Sequence, residues 1–479
     1  MKTKIIKNYL YNLSYQILVV LAPLITAPYI SRVLKPDGVG IYSYTTTIAT
    51  AFALFAALGV NTYGQREIAY KQGDKKGQSI IFWELFLSRL FSTFLIGIVF
   101  LIFSFAYSQY TEYLLQQSFI VFATMLDISW FFQGIEEFRI ISIRNAIIKI
   151  VTVLLIFLLV KSKTDLSMYI LINSVSIFGS YLLFFFNLNK YIIKVDFKKL
   201  SPLRHTKGII EFFIPLVATQ LYSQLDKIML GAIANSSVEN GYYEQSRKIV
   251  SILIMVITSI NTVMFPRISS LYAQGRKEEI ICLYEKTYKL ILMMVIPISI
   301  GIVFASNNFV IWFLGADYLP VANLMKLSVV LLHFMAIGNF VGMLYLSPTG
   351  KQNQMSAIYL VSAVINVVLN FLIIPGLQSV GAIIASIAAE VFSGCAQLFL
   401  LQKSEYKCNL FDGVWKYLSA GLIMAIGLYF LQKISPLTGI SQTVLEVAVA
   451  AVIYAFILLL EREENLMAAL NGLKRKFGR

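Results

Sequence analysis

The sequence predicts an all-α polytopic membrane protein with about fourteen transmembrane helices. Three observations carry this. Hydrophobic residues make up 58% of the 479 positions and charged residues only 14%. A soluble domain runs near a quarter charged. The apolar residues gather in runs of about 20, the length that crosses a hydrocarbon layer of roughly 30 Å. Short basic gaps separate the runs, which is the pattern that orients membrane proteins.

The runs lie at 10–31, 39–62, 80–106, 114–133, 143–160, 166–187, 208–231, 247–266, 287–305, 323–346, 355–374, 379–400, 413–431 and 441–460. The least clear are 247–266, which opens beside Arg247 and Lys248, and 323–346, which holds Lys326 and His333. Twelve crossings result if two of the runs do not span. The first run follows Lys2, Lys4 and Lys7 and continues past Pro23 to about Ile30. It is too long for a cleaved signal segment and reads as a retained span.

Positive charge alternates from gap to gap. The amino-terminal tail, the gap with Arg66, Lys71, Lys75 and Lys76, the gap 188–207, the gap with Arg267, Arg276 and Lys277, and the carboxy-terminal Lys474, Arg475, Lys476 and Arg479 are rich in Lys and Arg. The gaps 107–113 and 375–378 have none. This bias predicts that both termini are cytoplasmic. The net charge of +15 is therefore an orienting charge rather than a nucleic-acid surface. Stretch 188–207 mixes Tyr191, Ile192, Val195 and Phe197 with lysines. It is either a helix lying in the membrane interface or a plain linker.

A short duplication is visible. "GIYSYTTTI" from Gly40 and "GYYEQSRKI" from Gly241 align without a gap, sharing Gly40 with Gly241, Tyr42 with Tyr243 and Ile48 with Ile249. Each opens a span after a short outer gap, with six crossings between them. That predicts two parallel six-helix lobes, 1–200 and 201–402, followed by two added helices and a basic tail in 403–479.

Ionisable groups inside spans face a cavity, a partner or the interface. Glu84 and Arg89 lie five apart, too far to pair on one helix face, so each either pairs across helices or lines a cavity. Near the surface Glu84 could also snorkel. Gln220, Gln224 and Lys227 share one helix face, and Asp226 points elsewhere, toward Arg247 or Lys248. Arg32 ends the first span, where it meets an anionic solute or lipid headgroups. Arg66 beside Glu67 either binds phosphate or enforces orientation. Glu390, with Asn366 and Asn370, is a ligand contact or an interhelical hydrogen-bonding group. His333 is a packed histidine or a proton relay. Tyr222, Tyr242 and Tyr243 could stack on sugar rings or belong to the aromatic belt. Pro23, Pro28, Pro215, Pro297 and Pro348 can bend spans.

No catalytic or cofactor pattern accompanies them. The chain lacks a GxxxxGK[ST] loop, GxSxG, HExxH and CxxC. Its three cysteines and two histidines do not form a metal pattern. The residues predict a protein that is not an enzyme and has no cofactor.

"APLITAPYISRVLKPDGVGIYSY" at 22–44, "GVNTYGQREIA" at 59–69, "QLYSQLDKIMLGAI" at 220–233, "NGYYEQSRKI" at 240–249, "FPRISSLYAQG" at 265–275 and "VVLNFLIIPGLQSVGAIIASIAAE" at 367–390 together resemble the bacterial flippases of O-antigen and capsule repeat units. Their superfamily also holds multidrug-and-toxin extruders and the lipid II flippase. The resemblance implies two six-helix lobes in a V around a central cavity, with the last two helices helping to form a lipid-facing groove. It implies movement of an oligosaccharide on undecaprenyl diphosphate from the inner to the outer leaflet of the cytoplasmic membrane, beside a polysaccharide polymerase and ligase. Arg32, Arg66 and Arg89 would be its cationic contacts, with Gln220, Gln224 and Lys227 beside them. Glu84, Asp226, Arg247 and Glu390 would serve coupling or interhelix pairing, using a proton or sodium gradient or the membrane potential. An ion-coupled exporter of drugs or organic cations is the alternative within the same fold, and a polytopic enzyme or scaffold the alternative outside it.

Overall fold

The computed structural model describes residues 2–234 and 236–467, with the side chains of 2–17, 20, 215, 218, 219 and 221–223 outside the description. The side chains of Lys2, Lys4, Lys7, Pro215 and Tyr222, and the basic tail beyond 467, therefore lie outside the described residues.

The elements run α1 (Lys2–Ala57), α2 (Val60–Tyr70), α3 (Lys75–Ala106), α4 (Thr111–Leu126), α5 (Ser129–Gly134), α6 (Phe138–Leu159), α7 (Leu166–Leu182), α8 (Phe185–Leu188), α9 (Thr206–Ile233), α10 (Ser237–Ala273), α11 (Lys277–Phe313), α12 (Leu319–Val341), α13 (Gln352–Gln402), α14 (Val414–Ile434) and α15 (Gly439–Leu460). The described residues contain no strand. This is the polytopic, all-helical architecture that the apolar runs predict.

Two of the long elements are each a pair of spans. Lys35 interrupts α1 at φ 62° and Gln378 interrupts α13 at φ 50°. Lys35 precedes Pro36, and a residue before proline is pushed out of the helical region. Cut at these residues, and with α9 counted, the described residues contain fourteen helices of membrane-spanning length. The two least clear runs are regular: α10 is continuous over 37 residues, and α12 runs into a π turn at Gly342–Leu346.

Stretch 188–207 contains no long interfacial helix. Beyond the end of α8 it holds only single turns at Phe197–Lys199 and Pro202–His205. The Asp196 side chain caps the first by accepting from the Lys198 amide at 3.1 Å. Pro202 starts the second, at the first-turn position where its missing N–H costs no hydrogen bond.

The chain divides into two compact units. The first comprises 1–231 with 235–241, and the second 232–234 with 242–479. In the first, an aromatic core of Phe82, Trp130, Phe131, Phe132 and Phe184 joins α3 to α5 and the end of α7. Gly64 permits this approach, because a Cβ there would lie 2.6 Å from the Trp130 ring. In the second, α14 and α15 are tied to α11. The Asn308 amide donates to the Gly439 carbonyl at 2.7 Å and accepts from the Gly439 N–H at 2.9 Å, while Trp312 Nε1 donates to Thr443 at 2.9 Å.

Candidate functional site

Arg89 lies inside α3 with 1% of its surface exposed. Its charge is answered by Asp127, which occupies the break between α4 and α5. Arg89 Nη2 donates to Asp127 Oδ2 at 3.3 Å, and Nη1 donates to Asn61 Oδ1 at 2.5 Å. Asn61 Nδ2 donates to the same Asp127 oxygen at 3.3 Å, and Asp127 Oδ1 accepts from the Ser129 amide at 3.0 Å. This triangle joins α2, α3 and the α4–α5 break. In a low-dielectric interior such a pair is kept only with good hydrogen bonding.

Glu84 does not snorkel. It is 1% exposed and holds the stretch before α9. Its Oε1 accepts from the Ser201 amide at 2.8 Å, and Oε2 takes Arg204 Nη2 at 2.5 Å and His205 Nε2 at 2.9 Å. The Tyr63 hydroxyl meets His205 Nδ1 at 2.8 Å. His205 thus bridges Glu84 through Nε2 and Tyr63 through Nδ1. Glu84 and Arg89 thus belong to two separate networks, each drawing its partners from other segments.

The other residues are dispersed. Arg66 is half-buried against Glu67 at 2.9 Å, with its guanidinium 5.2 Å, 5.7 Å and 4.8 Å from the Tyr63, Tyr70 and Phe212 ring centres. Arg32 is exposed on the first half of α1. Asp226 is buried, and Lys227, Arg247 and Glu390 are half-buried. Asn370 donates to Asn366 within α13 at 3.1 Å. His333 donates from Nδ1 to the Val329 carbonyl of its own helix at 2.9 Å. Tyr243 is 1% exposed and packs inside the second unit, so its ring is closed to a sugar.

Two cavities matter. The first unit has one of about 370 Å³ between α1, α4, α7 and α9, where Thr50, Thr124, Tyr181, Gln220 and Gln224 supply the polar lining. Thr50 donates to Gln224 Oε1 at 3.0 Å, and Gln224 reaches Gln220 at 3.4 Å. Its described lining contains no charged residue. The second unit has a larger cavity of about 460 Å³, lined by apolar groups such as Leu253, Phe304 and Phe309, with α14 and α15 adding Leu428, Val447 and Ala450. Glu446 borders it and is held by Gln432 and Gln442 at 2.9 Å and 2.8 Å. The smaller cavity suits hydroxyl groups, and the larger suits hydrocarbon.

Asp127, Asn61 and His205 are the partners that sequence reasoning missed. Asp127 was visible as a carboxylate inside the apolar run 114–133, and that alone marks a residue in need of a partner. Asn61 and His205 carried no comparable signal.

A family profile described as polysaccharide biosynthesis protein matches residues 5–272. A provisionally named O-antigen transporter of Shigella dysenteriae is 24% identical over 377 residues, 78% of this chain and 93% of that protein. Another, of Escherichia coli strain K12, is 21% identical over 390 residues, 80% of this chain and 94% of that protein. Among solved structures, the lipid II flippase MurJ in an inward closed conformation superposes with a TM-score of 0.73 at 16% identity, over 96% of this chain and 99% of the other. An inward-facing MATE-family multidrug transporter gives 0.61 at 15% identity, over 80% and 96%. These likenesses establish the fold.

Proposed function

The chain belongs to the polysaccharide biosynthesis protein family, and from that premise we propose that it is a flippase for lipid-linked oligosaccharide repeat units. The carrier is undecaprenyl diphosphate, moved from the inner to the outer leaflet of the cytoplasmic membrane, with both termini cytoplasmic. The observation that carries this reading is the first unit's cavity. Amides and hydroxyls at Gln220, Gln224, Thr50 and Thr124 offer hydrogen bonds to sugar hydroxyls without a fixed charge. An exporter of organic cations would want a carboxylate there.

The diphosphate meets Arg32 and Arg66, which retain exposed surface, with Lys227 beside the glutamines. Arg89 is a positioning residue, because Asp127 and Asn61 occupy it. The apolar cavity against α14 and α15 supports a place for the isoprenoid tail. A proton or sodium gradient, the membrane potential, or removal of the product by a polymerase and ligase drives net movement. Asp226, Arg247 and Glu390 are the residues proposed for coupling.

The test is leaflet exposure of labelled undecaprenyl-diphosphate oligosaccharide in proteoliposomes, with cationic drug efflux measured in parallel. Movement of the matched glycolipid without drug efflux supports the proposal. Drug efflux with no glycolipid movement overturns it.

A further inference from the structure

Residues 186–207 join two spans of the first unit and leave unusual groups uncovered. Phe186 is 77% exposed, Phe197 56% and Leu203 86%. Lys190, Lys194, Lys198 and Lys199 are exposed among them. Asp196 is the single acid in the stretch.

This stretch is nevertheless held in place. The Ile193 amide donates to Ser79 Oγ at 3.0 Å, Phe197 packs edge-on against Trp83 with ring centres 5.1 Å apart, and Glu84 takes Ser201, Arg204 and His205. Its rings and lysines are thus presented on an ordered backbone. Exposed aromatic and aliphatic groups are unfavourable in water. At the end of a membrane span, their neighbour is the headgroup layer. There the apolar side chains enter the acyl boundary while lysine stems reach up to phosphate.

We propose that 186–207 is a binding segment for anionic phospholipid. The apolar groups supply insertion, and Lys190, Lys194, Lys198 and Lys199, four of the five lysines in the stretch, supply selection for net negative headgroups over zwitterionic ones. The orienting charge pattern places the segment at the inner leaflet, and this one point rests on the topology proposed above. The ligand is a lipid rather than a free phosphate, because a soluble anion would leave Phe186, Phe197 and Leu203 uncovered.

The test uses the purified full-length chain in neutral detergent, mixed with micelles containing equal phosphatidylglycerol and phosphatidylcholine. Lipid retained after gel filtration is measured by mass spectrometry. The wild type should hold phosphatidylglycerol over phosphatidylcholine by about threefold or more at low salt, and less at 1 M salt, where charges more than about 3 Å apart are screened. The variant K190Q/K194Q/K198Q/K199Q should bring the ratio close to one without lowering the melting temperature. Arginine at the same four positions should keep it. F197S should lower retention of both lipids. Equal retention by the wild type, an unchanged ratio in the glutamine variant, or displacement by millimolar glycerol phosphate would each overturn the proposal. Transport is not measured, so this result is independent of the flippase reading.

Discussion

Gly40 and Gly241 pack backbone to backbone, each against the start of the other's helix. A Cβ on Gly40 would lie 1.7 Å from the Ser237 carbonyl oxygen, and one on Gly241 would lie 2.1 Å from the Pro36 carbonyl oxygen. The contact is reciprocal: the position four before each glycine touches the other glycine. Nearby, Ser237 hydrogen-bonds to Asp37. The two positions aligned by the duplicated motif therefore meet in space, and only glycine permits that approach.

Alanine at either position must separate the helices. G40A and G241A should each destabilise the protein by about 1–3 kcal/mol, the usual range for overpacking. Thermal melting in detergent measures this. Because both variants open the same contact, G40A/G241A should lose less than the sum of the two. Full additivity would show that the glycines act independently.

Removing Arg89 strands Asp127, which is buried in the same network. R89A should cost about 3–5 kcal/mol and lower folded abundance. R89A/D127A should be more stable than R89A, since no lone carboxylate is left buried. A double variant less stable than either single one would break the account. The melting temperatures of the three variants decide the matter.

Glu84 clamps the stretch before α9. In E84A, His205 Nε2 loses its carboxylate partner inside the protein, a loss of about 2 kcal/mol. Amide exchange should rise around Ser201–His205 and stay low in the aromatic core around Trp130. Unchanged protection at Ser201 would mean that the other contacts of the stretch suffice.

The glutamines of the first unit's cavity should affect transport more than folding. Q220A/Q224A removes two hydrogen-bonding groups at about 1 kcal/mol each. Glycolipid flipping in proteoliposomes should fall about thirtyfold at unchanged abundance. Flipping at the wild-type rate would remove these residues from substrate handling.

The thiols should separate by reactivity. Burial pushes the Cys408 thiol up to about 12, and the Glu285 carboxylate adds to the shift. Thiolate is the reactive form, so a raised value means less of it at any pH below 12. Relative to the ordinary value of 9.0, the thiolate fraction at pH 8 falls roughly a thousandfold. Cys282 and Cys395 are exposed. In detergent, maleimide should modify Cys282 well before Cys408, as read by peptide mass spectrometry. Equal rates would contradict the burial.

Hydropathy is a local property, and the sequence by itself determined the helical membrane class, the runs that span and the two breaks near Lys35 and Gln378. It also marked Glu84 and Arg89 as charges in need of an explanation, because an ionisable group in an apolar run is costly wherever the chain goes. What each charge meets was decided only by tertiary structure. Arg89 finds Asn61 at 28 and Asp127 at 38 residues' separation, and Glu84 finds Arg204 and His205 at 120 and 121. Five-residue spacing excluded a pair on one helix face but could not name these partners, since side chains that far apart meet only through the packing of whole helices. The same holds for Gly40 and Gly241. Their alignment was legible as a repeat, but their mutual contact depends on how the two helix starts cross.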